Sequence, residues 1–263
     1  MAPKLVVVGG GKMGSALLAG LVSGGWAPVG DLAVSEPDEG QRHQLSAAHP
    51  GLLVSEGPVA AEAAVLAVKP DVAEGVARTL AAVGITRVLS IVAGLSTVRL
   101  EDALAPGAVV IRAMPNTPAL IGAGVAGMSG GSVATAADLD WAESILGSVG
   151  SVVRLPERQL DAVTGISGSG PAYVYLMAEA LIDAGVTAGL SRQVSQQLVV
   201  GTVLGSARMM AESGDDPITL RAAVTSPGGT TAAAVRTLEF KSVRSAFIEA
   251  VAAATERSRQ LGR

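Results

Sequence analysis

No cysteine occurs in the chain, which excludes disulfides, thiolate metal sites and a cysteine nucleophile. Aromatic residues make up only 2% of the 263 positions, while alanine and glycine abound, so helices are expected to pack closely through small side chains. A formal net charge of −4 with no basic stripe argues against a nucleic-acid partner and against substrate steering by global charge. Long apolar runs are missing too: Val174 to Ile182 and Leu198 to Leu204 fall far short of the roughly 20 residues that span a bilayer. The stretch from Met1 to Gly11 lacks the pattern of a signal peptide. A cytoplasmic protein with no membrane partner is the expectation. Histidine is scarce as well. His43 and His49 lie in a polar stretch outside any motif and read as surface residues, and with no ligand-spaced cluster of His, Asp or Glu no metal is expected.

What is present begins with Lys4-Leu5-Val6-Val7-Val8-Gly9-Gly10-Gly11-Lys12-Met13-Gly14, a buried-strand pattern running into a glycine turn that opens a helix from Met13 to Leu21. The spacing is G-x-G-x-x-G. Gly9 allows the tight turn, Gly11 lets backbone approach a pyrophosphate, and Gly14 permits close helix packing. Gly10, Lys12 and Met13 complete the cradle, where free N–H groups and the helix dipole favour an anion. A dinucleotide is the natural guest.

Through the N-terminal half, helix and strand patterns alternate, which predicts a doubly wound parallel α/β sheet. Strands are expected at Leu5–Val8, Asp31–Ser35, Ala63–Val68, Val88–Val92, Val109–Ala113, Ala123–Met128 and Ser151–Leu155. Ligands of such sheets bind beyond the carboxyl ends of the strands. Beyond the second strand lie Ser35 and Glu36, and an acid at the latter position binds ribose hydroxyls and repels a 2′-phosphate. The other reading has Ser35, not Glu36, end the strand, with Glu36 merely solvated and Arg42 free to meet a 2′-phosphate. Further candidate cofactor contacts follow the later strands: Ala67-Val68-Lys69-Pro70, then Ala93-Gly94, where a flat ring could lie on backbone, then Met114-Pro115-Asn116 after Arg112. Lys69 and Arg112 also read as simple surface charges.

Near Leu155 strand patterns give way to long helices, so residues 1–155 are expected to form a dinucleotide-binding domain and residues 156–263 a helical one. Ser167-Gly168-Ser169-Gly170-Pro171 reads as a flexible turn before a helix from Pro171 to Ala184 that is apolar nearly all round and must be covered on every side. Ser191 should cap a helix reaching about Ser213, with Gly201-x-x-x-Gly205 allowing close helix contact. Such helices exceed what about 100 residues can bury alone, so a homodimer or an assembly of dimers is expected through this half. A second cradle, Thr225-Ser226-Pro227-Gly228-Gly229-Thr230-Thr231, precedes a helix from Ala232 to Phe240. It suits a small carboxylate, and reads equally as a capped loop without a ligand.

Met114-Pro115-Asn116-Thr117-Pro118, Ile166-Ser167-Gly168-Ser169-Gly170-Pro171-Ala172-Tyr173 and Thr225-Ser226-Pro227-Gly228-Gly229-Thr230-Thr231 together resemble, in order along the chain, the signatures of pyrroline-5-carboxylate reductase. The resemblance implies an N-terminal Rossmann domain, a helical dimerisation domain that often assembles as a pentamer of dimers, and the last step of proline biosynthesis. It further implies that Ser226, Gly229, Thr230 and Thr231 line the substrate site. Members often carry a small or basic group at the position of Glu36, so both NADPH and NADH stay open as cofactor. The chemistry would be hydride transfer to the ring imine of pyrroline-5-carboxylate, giving proline. Thr231 is the candidate for the hydrogen bond to the ring nitrogen, as a positioning and polarising group. Two other readings stand beside this one: a β-hydroxyacid dehydrogenase, which needs a lysine in the second domain where only Lys241 occurs, and a dinucleotide sensor without activity.

Overall fold

A computed structural model describes residues 2–262; Met1 and Arg263, the outer ends of the two expected domains, lie outside the described residues. The chain divides into two compact units, one running to Ser169 and resuming at Ala252, the other Gly170–Val251. This division falls later than the change of texture at Leu155.

The first unit holds an eight-stranded sheet in the order β3-β2-β1-β4-β5-β6-β7-β8. The strands are β1 (Leu5–Val8), β2 (Leu32–Ser35), β3 (Leu53–Ser55), β4 (Ala63–Leu66), β5 (Arg87–Ser90), β6 (Val109–Met114), β7 (Gly124–Gly130) and β8 (Gly150–Arg154). Helices α1 (Lys12–Ser23), α2 (Glu39–Ala48), α3 (Pro70–Ala82), α4 (Thr97–Ala103), α5 (Ala136–Leu146) and α6 (Leu160–Val163) connect or follow them. Alternate residues of β1 serve opposite layers. Leu5 and Val7 pack with Leu17, Leu18 and Leu21 of α1 and Ile145 of α5, whereas Val6 and Val8 join Ala73, Ala77 and Leu80 of α3 and Leu100 of α4. Because both faces are covered, the strand reads as a continuous apolar run. Each such leucine contributes about 1.5–3 kcal/mol by leaving water.

Two features depart from the expected all-parallel sheet. β7 pairs with β6 antiparallel, and β8 runs parallel to β7. Residues 115–123 hold only a short 3₁₀ turn, Thr117–Ile121, and a link that short cannot make the crossover that a parallel neighbour requires. The edge strand β3, half-exposed and three residues long, is not among the expected strands, its Leu52-Leu53-Val54 run being too short to announce it.

The second unit contains α7 (Gly170–Thr187), α8 (Arg192–Glu212), α9 (Pro217–Ala223), α10 (Thr230–Phe240) and the start of α11 (Val243–Leu261), whose end belongs to the first unit. Ser191 caps α8 by accepting from Val194 N–H at 3.2 Å, as its position predicts. Close contact between α7 and α8 is made by Gly185 against Ser195, where a Cβ on the glycine would come 2.6 Å from Ser195 Oγ. At Gly201 and Gly205 an added Cβ would instead meet nothing within 4 Å among the described residues. Nor is α7 covered on every side: Tyr175 is 64% and Leu176 67% exposed. Among the described residues no helix is long and apolar enough to cross a membrane.

Candidate active site

The β1–β4 junction is where the strand order reverses, the position at which open α/β sheets take their ligands. Gly9 leaves β1 at φ +102°, its N–H donating to Ser35 O at 2.8 Å. A Cβ there would come 2.6 Å from Ala67 O, so only glycine fits between the ends of β2 and β4. Gly14, in the first turn of α1, would drive a Cβ into the Gly9 carbonyl. Gly11 differs: it is the exposed N-cap of α1, no side chain caps the helix, and a Cβ on it meets no protein atom within 4 Å. Two of these glycines therefore serve the fold, while the third faces open space in front of the amides that begin with Lys12 and Met13. That is the opening a pyrophosphate requires.

Ser35 ends β2 and is only 2% exposed. Glu36 turns its carboxylate onto the glycine turn: Oε2 accepts from Gly10 N–H at 2.7 Å and Oε1 from Asp38 N–H at 2.9 Å. The reading of Glu36 as a merely solvated residue is thereby corrected, because two backbone donors hold it. Arg42, the alternative phosphate ligand, directs Nη1 at the carbonyls of Glu36 and Pro37, at 3.0 and 2.7 Å. His43 is exposed and His49 closes α2, neither near this turn's hydrogen bonds.

Ala67 and Val68 follow β4, half-buried, and Lys69 is the exposed N-cap of α3 with Pro70 in its first turn. Ala93 and Gly94 line a cavity of about 220 Å³ with Pro70 and Leu261. Met114 ends β6, and Pro115 and Asn116 behind it are buried. The Asn116 amide is engaged at both ends: Oδ1 accepts from Val125 N–H at 2.9 Å and Nδ2 donates to Ser167 O at 3.2 Å. Ser167 does not lie in a flexible turn, since Thr164–Gly168 forms a π-helical segment directly after α6. Tight packing explains the order there, with Gly168 against the Met114 methyl.

Arg112 is not a surface charge. It is 8% exposed, donates to Glu157 at 3.1 Å, and lines a cavity of about 540 Å³ with Gly94, Ser96 and Asp161. Glu157 also accepts from Thr97 N–H and Oγ1, at 2.8 and 2.7 Å. Burial pushes the Glu157 carboxyl up, but the Thr97 donors and Arg112 outweigh it and hold the group below its ordinary value. Glu157 and Thr97 carry no sequence signal of this role, being 60 residues apart.

In the second unit, Gly229 is the N-cap of α10 and no side chain caps that helix. Its N–H donates to Ser226 O at 3.1 Å, closing the loop, and Ser226 Oγ lies directly beside the Gly229 backbone. Thr230 and the half-buried Thr231 form the first turn. The second cradle is thus a helix start with free amides flanked by hydroxyl side chains. Lys241 lies at the opposite end of α10, as its C-cap, roughly 16 Å away at 1.5 Å per residue. A lysine-dependent dehydrogenase site at this cradle has no support.

Comparison with known proteins decides among the readings. Residues 157–261 match a family model described as pyrroline-5-carboxylate reductase dimerisation, and residues 4–94 one described as NADP oxidoreductase, coenzyme F420-dependent. A pyrroline-5-carboxylate reductase of Synechocystis is 44% identical, with all of both chains covered. One from Mycobacterium tuberculosis is 41% identical over 98% of this chain and 96% of its own. The chain belongs to the pyrroline-5-carboxylate reductase family. Solved reductase structures agree. That from Coxiella burnetii superposes with a TM-score of 0.92 at 33% identity over the whole of both chains. The Plasmodium falciparum enzyme, solved with NADP bound, gives 0.86 at 33% identity over 99% of this chain and 98% of its own. Within this reductase fold, an N-terminal Rossmann sheet followed by a helical dimerisation domain, both amide cradles are helix starts that no side chain caps.

Proposed function

We propose that the cradle of α1 holds the cofactor and the start of α10 holds the substrate carboxylate, in the reaction that defines this reductase family. The chain reduces L-1-pyrroline-5-carboxylate to L-proline, the final step of proline biosynthesis. NAD(P)H supplies the hydride. The amides of Gly11, Lys12 and Met13 bind the pyrophosphate, with Gly9 and Gly10 shaping the turn and Ser35 and Glu36 closing its ribose side. Ala67, Val68, Lys69, Pro70, Ala93, Gly94, Met114, Pro115 and Asn116, all at strand ends, border the rest of the cofactor. The observation that carries this reading is the open space in front of Gly11, at a helix start with no capping side chain.

On the substrate side, Ser226 Oγ and the Thr230 amide hold the carboxylate oxygens, Gly229 lines the site with its own N–H turned back to Ser226 O, and the helix dipole of α10 favours the anion. Thr231 aims a hydrogen bond at the ring nitrogen. A threonine hydroxyl is a poor acid, so its role is to orient and polarise the imine. The proton comes from water or arrives on the iminium. Hydride goes to the imine carbon and the proton to the ring nitrogen, which balances the conversion to proline. Holding the reacting atoms in near-attack contact supplies several kcal/mol of barrier reduction.

We assign residues 1–155 to cofactor binding and residues 156–263 to substrate binding and dimerisation, in a cytoplasmic homodimer that assembles further into a decamer. The exposed apolar faces of α7 and α8 support the dimer. The deciding experiment incubates the purified chain with pyrroline-5-carboxylate and each reduced cofactor and measures proline formed. No proline with either cofactor ends the proposal, and would leave the nucleotide sensor as the reading.

A further inference from the structure

We infer that Glu36 makes this enzyme select NADH over NADPH. The inference rests on the reading above that the glycine turn holds the adenosine end of the cofactor. The carboxylate is not a loose surface acid. It is fixed by Gly10 N–H on Oε2 and by Asp38 N–H on Oε1. The glycine turn that carries it is itself tied down, since the Gly10 carbonyl accepts from Ser15 Oγ at 2.7 Å and from Gln41 Nε2 at 2.8 Å. A carboxylate offers about four acceptor sites and no donor. Two are taken by these amides, and the two remaining suit the two hydroxyls of an unphosphorylated ribose. A 2′-phosphate is likewise acceptor-only and anionic, so at the same place it meets like charge with no hydrogen to share.

Moving Glu36 aside would leave the Gly10 amide without its acceptor, a cost that a flexible surface acid would not impose. Arg42 is directed elsewhere by one arm of its guanidinium, since Nη1 donates to the Glu36 and Pro37 carbonyls, on the backbone that presents the acid; its remaining donors make Arg42 the competing determinant that the test must separate from Glu36.

The test is direct binding, measured calorimetrically on the full chain with NADH and with NADPH and without substrate. NADH is expected to bind about tenfold or more tightly, the scale on which a charge-assisted contact separates two ligands. Glu36→Gln retains an acceptor for one amide and removes the charge. It should strengthen NADPH binding about tenfold and change NADH binding by less than about threefold. Arg42→Ala should leave the NADH/NADPH ratio unchanged. Equal or tighter NADPH binding by the parent chain overturns the inference, as does an unmoved ratio in Glu36→Gln. A selective loss of NADPH in Arg42→Ala would assign the choice to Arg42 instead. If Glu36→Gln lowers the melting temperature, Glu36→Asp, which keeps the charge, must retain the preference for NADH. Failure of the reductase reading stays distinguishable, because it would appear as absence of proline while the binding ratio holds.

Discussion

Arg112 and Glu157 meet at 3.1 Å, and Glu157 passes the contact on to the backbone and hydroxyl of Thr97 at the start of α4. One carboxylate therefore joins β6, which leads into Met114–Asn116, to the helix that follows Ala93 and Gly94. Asp161 extends the network, lying 3.9 Å from Arg112 and accepting from Ser258 Oγ at 2.7 Å. Because Glu157 is held below its ordinary value of 4.5, its contribution is fully present above that value and is lost as pH falls through the lower folded-state value. Glu157→Gln should cost about 1–3 kcal/mol at neutral pH, a fall of some 2–10 °C in Tm for a chain of this size. Its Tm should also decline less steeply than the parent's below about pH 4.5. Parallel acid limbs in the two melting series would show that Glu157 is not the titrating group.

Gly11 and Gly14 separate binding from folding. At Gly11 an added methyl meets no protein atom within 4 Å, so Gly11→Ala should melt within about 1 kcal/mol of the parent yet bind NADH and NADPH at least about tenfold more weakly. At Gly14 the methyl collides with the Gly9 carbonyl. Gly14→Ala should therefore lose about 2 kcal/mol or more despite the better helix propensity of alanine. Calorimetric melting and cofactor titration of both variants check the pair. Undiminished cofactor affinity in Gly11→Ala would remove the cradle from the site.

The features legible in the sequence were those written in local chemistry. The run Leu5–Val8 into Gly9 announces a strand and turn because apolar continuity and glycine spacing are contiguous, and Ser191 announces a helix start because its own oxygen caps it. Interactions between distant positions were not legible. Neither Glu157 nor Thr97 shows in its neighbours that it will neutralise Arg112, and the anchoring of Glu36 depends on how β2 lies beside the glycine turn. The antiparallel turn of β7 is decided by the short link after Met114, a length that the strand pattern does not weigh. The same holds for Gly185, which closes the α7–α8 contact against Ser195 although the Gly201-x-x-x-Gly205 spacing draws more notice.

That spacing stands on an exposed face of α8, beside Leu204, which is 61% exposed. Leu176 on α7 is 67% exposed. Apolar residues in such numbers on two helices of one unit support the proposed dimer surface here. Leu176→Glu and Leu204→Glu should each shift the chain toward monomer, read by light scattering after size-exclusion chromatography. Val133→Glu, on the first unit and 47% exposed, should leave the mass unaltered. Retention of the parent mass in both helix variants would place the interface elsewhere.

Thr231 is tested by its hydroxyl alone. It sits in the first turn of α10, after the uncapped Gly229, where a group can face an anion without disturbing the helix behind it. Thr231→Ala should lower kcat/KM for pyrroline-5-carboxylate about tenfold or more, since a buried hydrogen bond to a charged partner is worth roughly 1.5–3 kcal/mol. Thr231→Ser restores the oxygen and should recover most of that loss, while Thr231→Val keeps the shape and should resemble the alanine variant. All three should bind cofactor like the parent, because the proposal places the residue in the substrate cradle and not at the glycine turn. In the proposed reading the contact is to the ring nitrogen, whose electron density rises as hydride reaches the neighbouring carbon, so kcat should fall along with kcat/KM and not KM alone. A valine variant as fast as the serine variant would mean that shape, and not a hydrogen bond, is what this position contributes.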